Sequence, residues 1–169
     1  MFVTRVEVFV AKRAVDHGDD LDARCAISLG SLYGGLCLGP VNTAAVHALA
    51  YPLGGEFRLA HGLSIALLLP HVVRFNLAAA PGRYAGVARA LGVADTGDAF
   101  ATAALGADRL SALCAECGIP AGLSTHGVPA DAIPHMAADA MKVTRLLQNN
   151  PREVTLADAE QIYRNAFHP

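Results

Sequence analysis

The sequence predicts an all-α fold, a helical bundle, and three observations support this prediction. Apolar residues recur at helical spacing, strand signals are nearly absent, and pairs of proline and glycine separate segments of helical length. Hydrophobic residues make up 53% of the 169 residues and charged residues only 17%, a balance typical of a folded chain. No repeat, low-complexity tract or linker interrupts the chain, so we expect one helical domain over residues 1–169.

The first two elements differ in how clearly the sequence defines them. Valines alternate with other residues from Val3 to Val10, a pattern that also suits a strand. A helix is predicted after Asp19 and Asp20, because aspartate is a good N-cap, and it should end near Gly39-Pro40.

The middle of the chain carries a helix with His47, predicted from Asn42 to about Pro52. Pro52 and the following Gly54-Gly55 should end it, because proline lacks an amide donor and glycine frees φ. The next helix begins near His61 and passes through Pro70, where we expect a kink.

The same punctuation predicts the remaining helices. Pro134 suits the first turn of a helix, and the spacing of Thr155 to Asp158 approximates a capping box. The predicted helices run from Pro81 to Leu91, from Asp98 to Cys117, from Ile133 to Asn149, and from Thr155 onward.

Charge and hydropathy exclude two classes of partner. A net charge of -2 and a pI near 6.4 leave no basic footprint for nucleic acid and no strong attraction to a membrane surface. The longest apolar stretch, Leu63 to Pro70, is shorter than the roughly 20 residues that span a bilayer. No signal-peptide pattern precedes it, so we expect a cytoplasmic protein without a membrane partner.

The four cysteines do not indicate a disulfide framework in a chain of this length. Cys114 and Cys117 have the CxxC spacing of a redox couple or of half a zinc site. Both fall on the apolar stripe of the helix predicted from Asp98, which also includes Phe100, so we interpret them as small core residues.

His47 and His61, fourteen residues apart and flanking the Pro-Gly-Gly segment, are candidates for half of a metal site. An isolated histidine beside apolar residues is more often a core residue, so the pair needs further support. A D-x-x-x-H spacing, which places two ligands on one helix face, occurs from Asp131 to His135. Pro134 lies inside that spacing, and we interpret it as coincidence.

Several segments resemble the C-terminal helical domain of the iron-containing (group III) alcohol dehydrogenases, in the dehydroquinate synthase-like superfamily. The resemblance covers most of the chain and favours a helix, not a strand, from Val3 to Val10. The matching segments are Arg13–Val15, Gly18–Leu21, Val46–Ala50 before Pro52–Gly55, His61–Leu63, Leu68–Val72, Met136–Met141 and Asn149–Thr155.

The resemblance implies a divalent metal, Fe²⁺ foremost and Zn²⁺ as a possibility, held by one aspartate and three histidines. His47 and His61 match the last two of these ligands, and Tyr51 stands where many members carry a further histidine near the substrate. The family's first two ligands lie upstream of Met1, so the resemblance implies a chain truncated at its N-terminal side. NAD(P) belongs to the family's nucleotide-binding domain, and no glycine-rich phosphate loop is found here.

Three functions remain open at this point. The first is an oxidoreductase acting on small alcohols or carbonyl compounds, completed by a separate nucleotide-binding half. The second is a non-catalytic helical module, or pseudoenzyme, that forms a homo-oligomer through an exposed apolar surface. The third is a thiol redox protein that uses Cys114 and Cys117.

Overall fold

A computed structural model describes residues 10–169, and every regular element within them is a helix. The expected all-α fold is confirmed. A helix was also predicted from Val3 to Val10, and residues 3–9 of it lie outside the described part of the chain. The chain divides into two compact units, one comprising the described residues up to Asn42 with Pro81–Ile119, the other Thr43–Ala80 with Pro120–Pro169. The single domain over residues 1–169 stays a prediction.

The first unit contains four helices in its described residues. They are α1 (10–16), α2 (Leu21–Val41), α5 (Pro81–Ala90) and α6 (Ala99–Glu116). Asp20 caps α2 as predicted, because its side chain accepts a hydrogen bond from the Ala23 amide at 3.0 Å. The helix ends at Val41, one residue beyond the predicted Gly39-Pro40 boundary.

Helices α5 and α6 pack closely through small residues. Gly106 of α6 faces Ala88 of α5 so closely that a Cβ at position 106 would lie 2.6 Å from the Ala88 Cβ. Asp98 caps α6 by accepting hydrogen bonds from the Phe100 and Ala101 amides. The absence of a side chain at Gly106 therefore sets how near the two helices approach.

The predicted apolar stripe of α6 is only partly buried. Ala103 and Ala107 are buried, but Phe100 is 49% exposed and the two cysteines are half-buried. Burial raises the pKa of the Cys114 thiol, and the neighbouring Cys117 raises it further. The stripe therefore extends beyond the buried residues at Phe100, because apolar spacing alone does not tell which part of a helix is covered.

The second unit is built from α3 (Ala45–Phe57), α4 (His61–Asn76), α7 (Ile133–Met141), α8 (Thr144–Leu147) and α9 (Leu156–Asn165). Helix α3 packs against α4, α7 and α8, and α9 packs against α4 and α7. The capping box predicted at the start of α9 is present. The side chains of Thr155 and Asp158 each accept a hydrogen bond from the other residue's backbone amide.

Helix α3 does not end at Pro52 as predicted but continues through Gly54 and Gly55 to Phe57. Ala48, Leu49 and Leu53 are each fully buried. Burial of this face outweighs the loss of the one amide donor at Pro52 and the flexibility of the glycines. The break moves to Arg58, which adopts a left-handed conformation with φ of 57°.

The helix predicted from Ile133 to Asn149 is in fact two helices, α7 and α8. Val143 leaves the helical conformation with ψ of 53°, and a new short helix starts at Thr144. Leu146 in α8 is fully buried. The interruption reorients the chain so that this side chain enters the core, an outcome that local propensity does not encode.

Hydrogen bonds connect the C-terminal end of α4 to the loop before α9. The side-chain amides of Asn76 and Asn150 bond reciprocally at 2.9 and 2.8 Å. The Arg152 guanidinium lies 4.0 Å from the centre of the Phe75 ring and donates to the Phe75 carbonyl at 3.0 Å. These contacts hold the helix that begins with His61.

Among residues 10–169, one apolar segment, His61–Ala79, meets the length and composition of a membrane span. It includes α4 and the short 3-10 turn after it, and it is therefore longer than the Leu63 to Pro70 stretch considered from sequence. About 44% of its most apolar window is buried within the protein, and a core helix of a soluble protein meets the same criterion. The segment is weak evidence for a membrane.

Candidate metal centre

A short connection between α3 and α4 brings His47 and His61 together. Arg58, in its left-handed conformation, closes α3, and the Leu59 amide donates to the Leu53 carbonyl at 3.1 Å. The connection runs only from Arg58 to Ala60, so α4 begins with His61 itself and folds back along α3. The reversal therefore lies at Arg58 and not at the predicted Pro-Gly-Gly segment.

The two imidazole rings lie side by side. The ring centres of His47 and His61 are 5.3 Å apart, and the ring planes are inclined by 51°. A ring nitrogen binds Zn²⁺ or a similar ion at about 2.1 Å, which puts the ion roughly 3 Å from the ring centre. Two such distances exceed the observed separation, so the spacing of the two rings is compatible with a shared cation.

One ring nitrogen of His47 lacks a partner. Its Nδ1 atom is buried and forms no hydrogen bond within the described residues. Burial lowers the pKa of the His47 imidazole, and the neighbouring His61 lowers it further. A neutral imidazole with an unsatisfied nitrogen is suited to bind a metal ion, because metal ligation requires the unprotonated ring.

Within residues 10–169, the pair has no further protein ligand. No group of three or more histidine, cysteine, aspartate or glutamate side chains is arranged to hold a metal ion in these residues. Asp131 lies in a short 3-10 turn and His135 in α7, so the D-x-x-x-H spacing does not lie on one continuous α-helix. A metal site built on the two histidines would therefore need further donors from outside these residues.

Tyr51 lies one turn beyond His47 along the same face of α3. Its side chain is 48% exposed and lines a cavity of about 440 Å³ together with Pro52, Gly55, Glu56 and Asp139. The exposed phenol is thus accessible to a small molecule in that cavity.

A hydrogen-bonded pair at the edge of this cavity was not predicted from sequence. Nε2 of His135 lies 2.8 and 2.7 Å from the two carboxylate oxygens of Glu56. The hydrogen bond from Lys142 lowers the pKa of the nearby Asp139 carboxyl. Glu56 and His135 are 79 residues apart in sequence. No local pattern indicates such a pair.

A buried tyrosine was also missed. The Tyr163 hydroxyl in α9 donates to the Leu49 carbonyl in α3 at 2.5 Å. Both side chains are fully buried. In the sequence Tyr163 reads only as an apolar position of the last helix, and nothing there signals a partner 114 residues away.

The other histidines occupy different environments. His71 is half-buried in α4, while His17 and His168 are exposed. Nε2 of His126 lies 2.9 Å from the Pro120 carbonyl oxygen.

Comparison with known proteins gives a consistent result. Residues 7–167 match the model of the Fe-containing alcohol dehydrogenase family, C-terminal. The chain is 37% identical to long-chain-alcohol dehydrogenase 1 of Geobacillus thermodenitrificans (strain NG80-2), over 92% of this chain and 40% of that protein. It is 34% identical to NAD-dependent methanol dehydrogenase of Bacillus methanolicus, over 92% of this chain and 41% of that protein.

A solved structure gives the same answer for the fold. The crystal structure of a 1,3-propanediol oxidoreductase superposes with a TM-score of 0.94 at 34% identity, covering 98% of this chain and 43% of that one. The chain spans about two fifths of the length of these proteins. A family match over nearly the whole chain, on an all-α fold that brings His47 beside His61, establishes that the chain belongs to the Fe-containing alcohol dehydrogenase family.

Proposed function

We propose that this chain contributes to an NAD(P)-linked alcohol dehydrogenase, with His47 and His61 as two of the ligands of a divalent metal ion. Fe²⁺ is the expected ion, and Zn²⁺ is the alternative, since neutral imidazole suits both. The observation that carries the proposal is the convergence of the two rings at 5.3 Å beside a buried, unpartnered His47 nitrogen.

When bound, such an ion acts as a Lewis acid that stabilises negative charge on the oxygen of an alcohol or carbonyl substrate. The chain's own residues would then orient that oxygen. Tyr51, exposed on the His47 face of α3, is placed to donate a hydrogen bond or a proton to a ligand in the adjacent cavity. Small alcohols and the corresponding aldehydes or ketones are the proposed substrate class.

The nicotinamide cofactor has to be bound by other residues. No strand occurs in residues 10–169, so these residues contain no strand–loop–helix unit for a pyrophosphate. NAD is named for the methanol dehydrogenase relative. We propose that a nucleotide-binding part, joined to this chain or separate from it, supplies the cofactor and the missing ligands, and that the assembly works in the cytoplasm.

The test of the metal proposal is Zn²⁺ binding by the chain and by the variants His47→Ala and His61→Ala. Each variant should weaken binding by about tenfold or more, because even indirect partners of a metal ligand commonly contribute that much. Isothermal titration calorimetry under anaerobic conditions, repeated with Fe²⁺, gives the dissociation constants. The exposed His17→Ala is the matched control and should bind as the unaltered chain does. Equal affinity in all four proteins would refute the assignment.

A second candidate function, a self-associating helical module, is favoured by the surface of α2. Among its residues, Leu32, Leu36 and Val41 are 57%, 66% and 68% exposed. Residues 25–41 include no charged side chain, so an apolar partner suits this surface. A second copy of the chain offers such a surface through a two-fold axis, and we propose this dimer as the alternative.

A further inference from the structure

We propose that Tyr163 is a positioning residue, whose buried hydrogen bond to Leu49 holds the His47 turn of α3 in register with His61. The proposal deepens the metal-binding function and rests on it for its biological meaning. The geometric claim, that this bond sets the approach of the two imidazoles, is testable without any metal.

The bond has the features of a specific restraint and not of incidental packing. The Tyr163 hydroxyl donates to the Leu49 carbonyl at 2.5 Å, and both side chains have no exposed surface. Burial raises the pKa of the phenol far above its ordinary value, so the hydroxyl remains a donor at any physiological pH. A buried donor that loses its acceptor is costly, which makes the bond resistant to small shifts of α3.

Helix α3 needs a restraint at this point because its own hydrogen bonding is incomplete there. Pro52 has no amide hydrogen, so the carbonyl of Ala48 lacks the donor that a regular helix would supply from position 52. In the sequence, Ala48 lies between His47 and Leu49. The external hydroxyl therefore contacts the helix in the turn that proline weakens and that carries the candidate ligand.

Helix α9 is suited to transmit this restraint to the other ligand. It packs against α4, which begins with His61, and against α7, which itself packs against α3. Tyr163 thus fixes α3 relative to a helix that also contacts α4. If α3 turned or slid, the 5.3 Å separation between the His47 and His61 rings would change with it.

The test uses Tyr163→Phe in the full chain, since this change removes the hydroxyl and keeps the buried ring. The first readout is the nuclear Overhauser cross-peak between the His47 and His61 ring protons in the metal-free protein, which should weaken or vanish. The second is the Zn²⁺ dissociation constant, which should rise about tenfold, as expected for an outer partner of a metal ligand. Circular dichroism confirms that the variant is folded under the conditions of both measurements.

The matched control is Thr155→Ala, which removes the capping box of the same helix without touching Leu49. It should weaken α9 while leaving the cross-peak and the dissociation constant of the folded protein unchanged. The inference is overturned if Tyr163→Phe retains both values, or if Thr155→Ala loses them equally. An unaltered chain that fails to bind Zn²⁺, combined with a cross-peak lost only in Tyr163→Phe, would reject the metal function and leave the positioning role intact.

Discussion

At the scale of single residues, His71 shows how burial couples a side chain to pH. Its imidazole is half-buried in α4, and burial lowers its pKa from the ordinary value of 6.5, with Arg74 lowering it further. The folded state therefore binds a proton less readily than the unfolded state. Below pH 6.5 the unfolded chain takes up the proton first, so stability falls as the pH drops toward the lowered pKa.

We therefore expect His71→Gln to reduce the loss of stability between pH 7.5 and pH 5. The comparison is between the slopes of unfolding free energy against pH, measured by urea denaturation, so any pH-independent effect of the substitution cancels. Asp20 and Asp158 also have lowered pKa values, mainly through hydrogen bonds from Arg13 and Thr155, but carboxyls titrate below this window. His17→Gln, at an exposed site, should keep the original slope. Identical slopes in all three proteins would contradict the role assigned to burial.

At the scale of elements, one helix pair depends on a residue that leaves room for its neighbour. In the first unit, α5 and α6 approach through Gly106 and Ala88, where an added Cβ would be only 2.6 Å from the Ala88 Cβ. The contact involves a rigid methyl group and the α5 backbone, which lies 3.1 Å away at the Ala88 Cα. Neither can move aside without separating the helices.

Gly106→Ala should destabilise the protein by about 1–3 kcal/mol, the usual cost of overpacking a close contact. Urea unfolding monitored by circular dichroism measures this loss. The matched control is Gly86→Ala in α5, where the nearest atom is the end of the Arg89 side chain at 3.9 Å. That change should be stabilising by about 0.5–1 kcal/mol, because alanine is the better helix former. Similar changes in unfolding free energy at both sites would show that helix propensity, and not packing, determines the effect of Gly106→Ala.

At the scale of the whole molecule, most apolar side chains of α2 are not covered by the described residues. Of that helix only Ala23 and Gly30 are buried. The chain also spans about two fifths of its relatives' length, and the remaining part of such proteins is one way to cover this helix. A second copy of the chain is another way to cover α2. The two possibilities predict different masses for the isolated protein.

Light scattering after size exclusion should give twice the chain mass of 17.5 kDa if the dimer forms. The double variant Leu32→Glu with Leu36→Glu should return it to the monomer mass, because buried carboxylates without partners oppose association. Val87→Glu, at an exposed position of α5, serves as the control and should remain dimeric. A monomeric unaltered chain would exclude self-association as its function.

By itself the sequence determined the all-α class, most helix starts and the identity of the candidate ligands. Asp20, Asp98 and Thr155 begin their helices as expected, since a cap acts on amides only two or three residues away. The resemblance through His47 and His61 was likewise local in sequence, and the family match confirms the family it indicated. The roles of both histidines and of Tyr51 stay predictions.

Only the tertiary structure decided which local signals prevailed. Burial of Ala48, Leu49 and Leu53 carries α3 through Pro52, and burial of Leu146 divides the helix predicted after Ile133. The bond from Tyr163 to Leu49 joins residues 114 positions apart. Such outcomes depend on the free energy of packing distant segments together, which exceeds the small preferences of single residues, so no window of the sequence contains them.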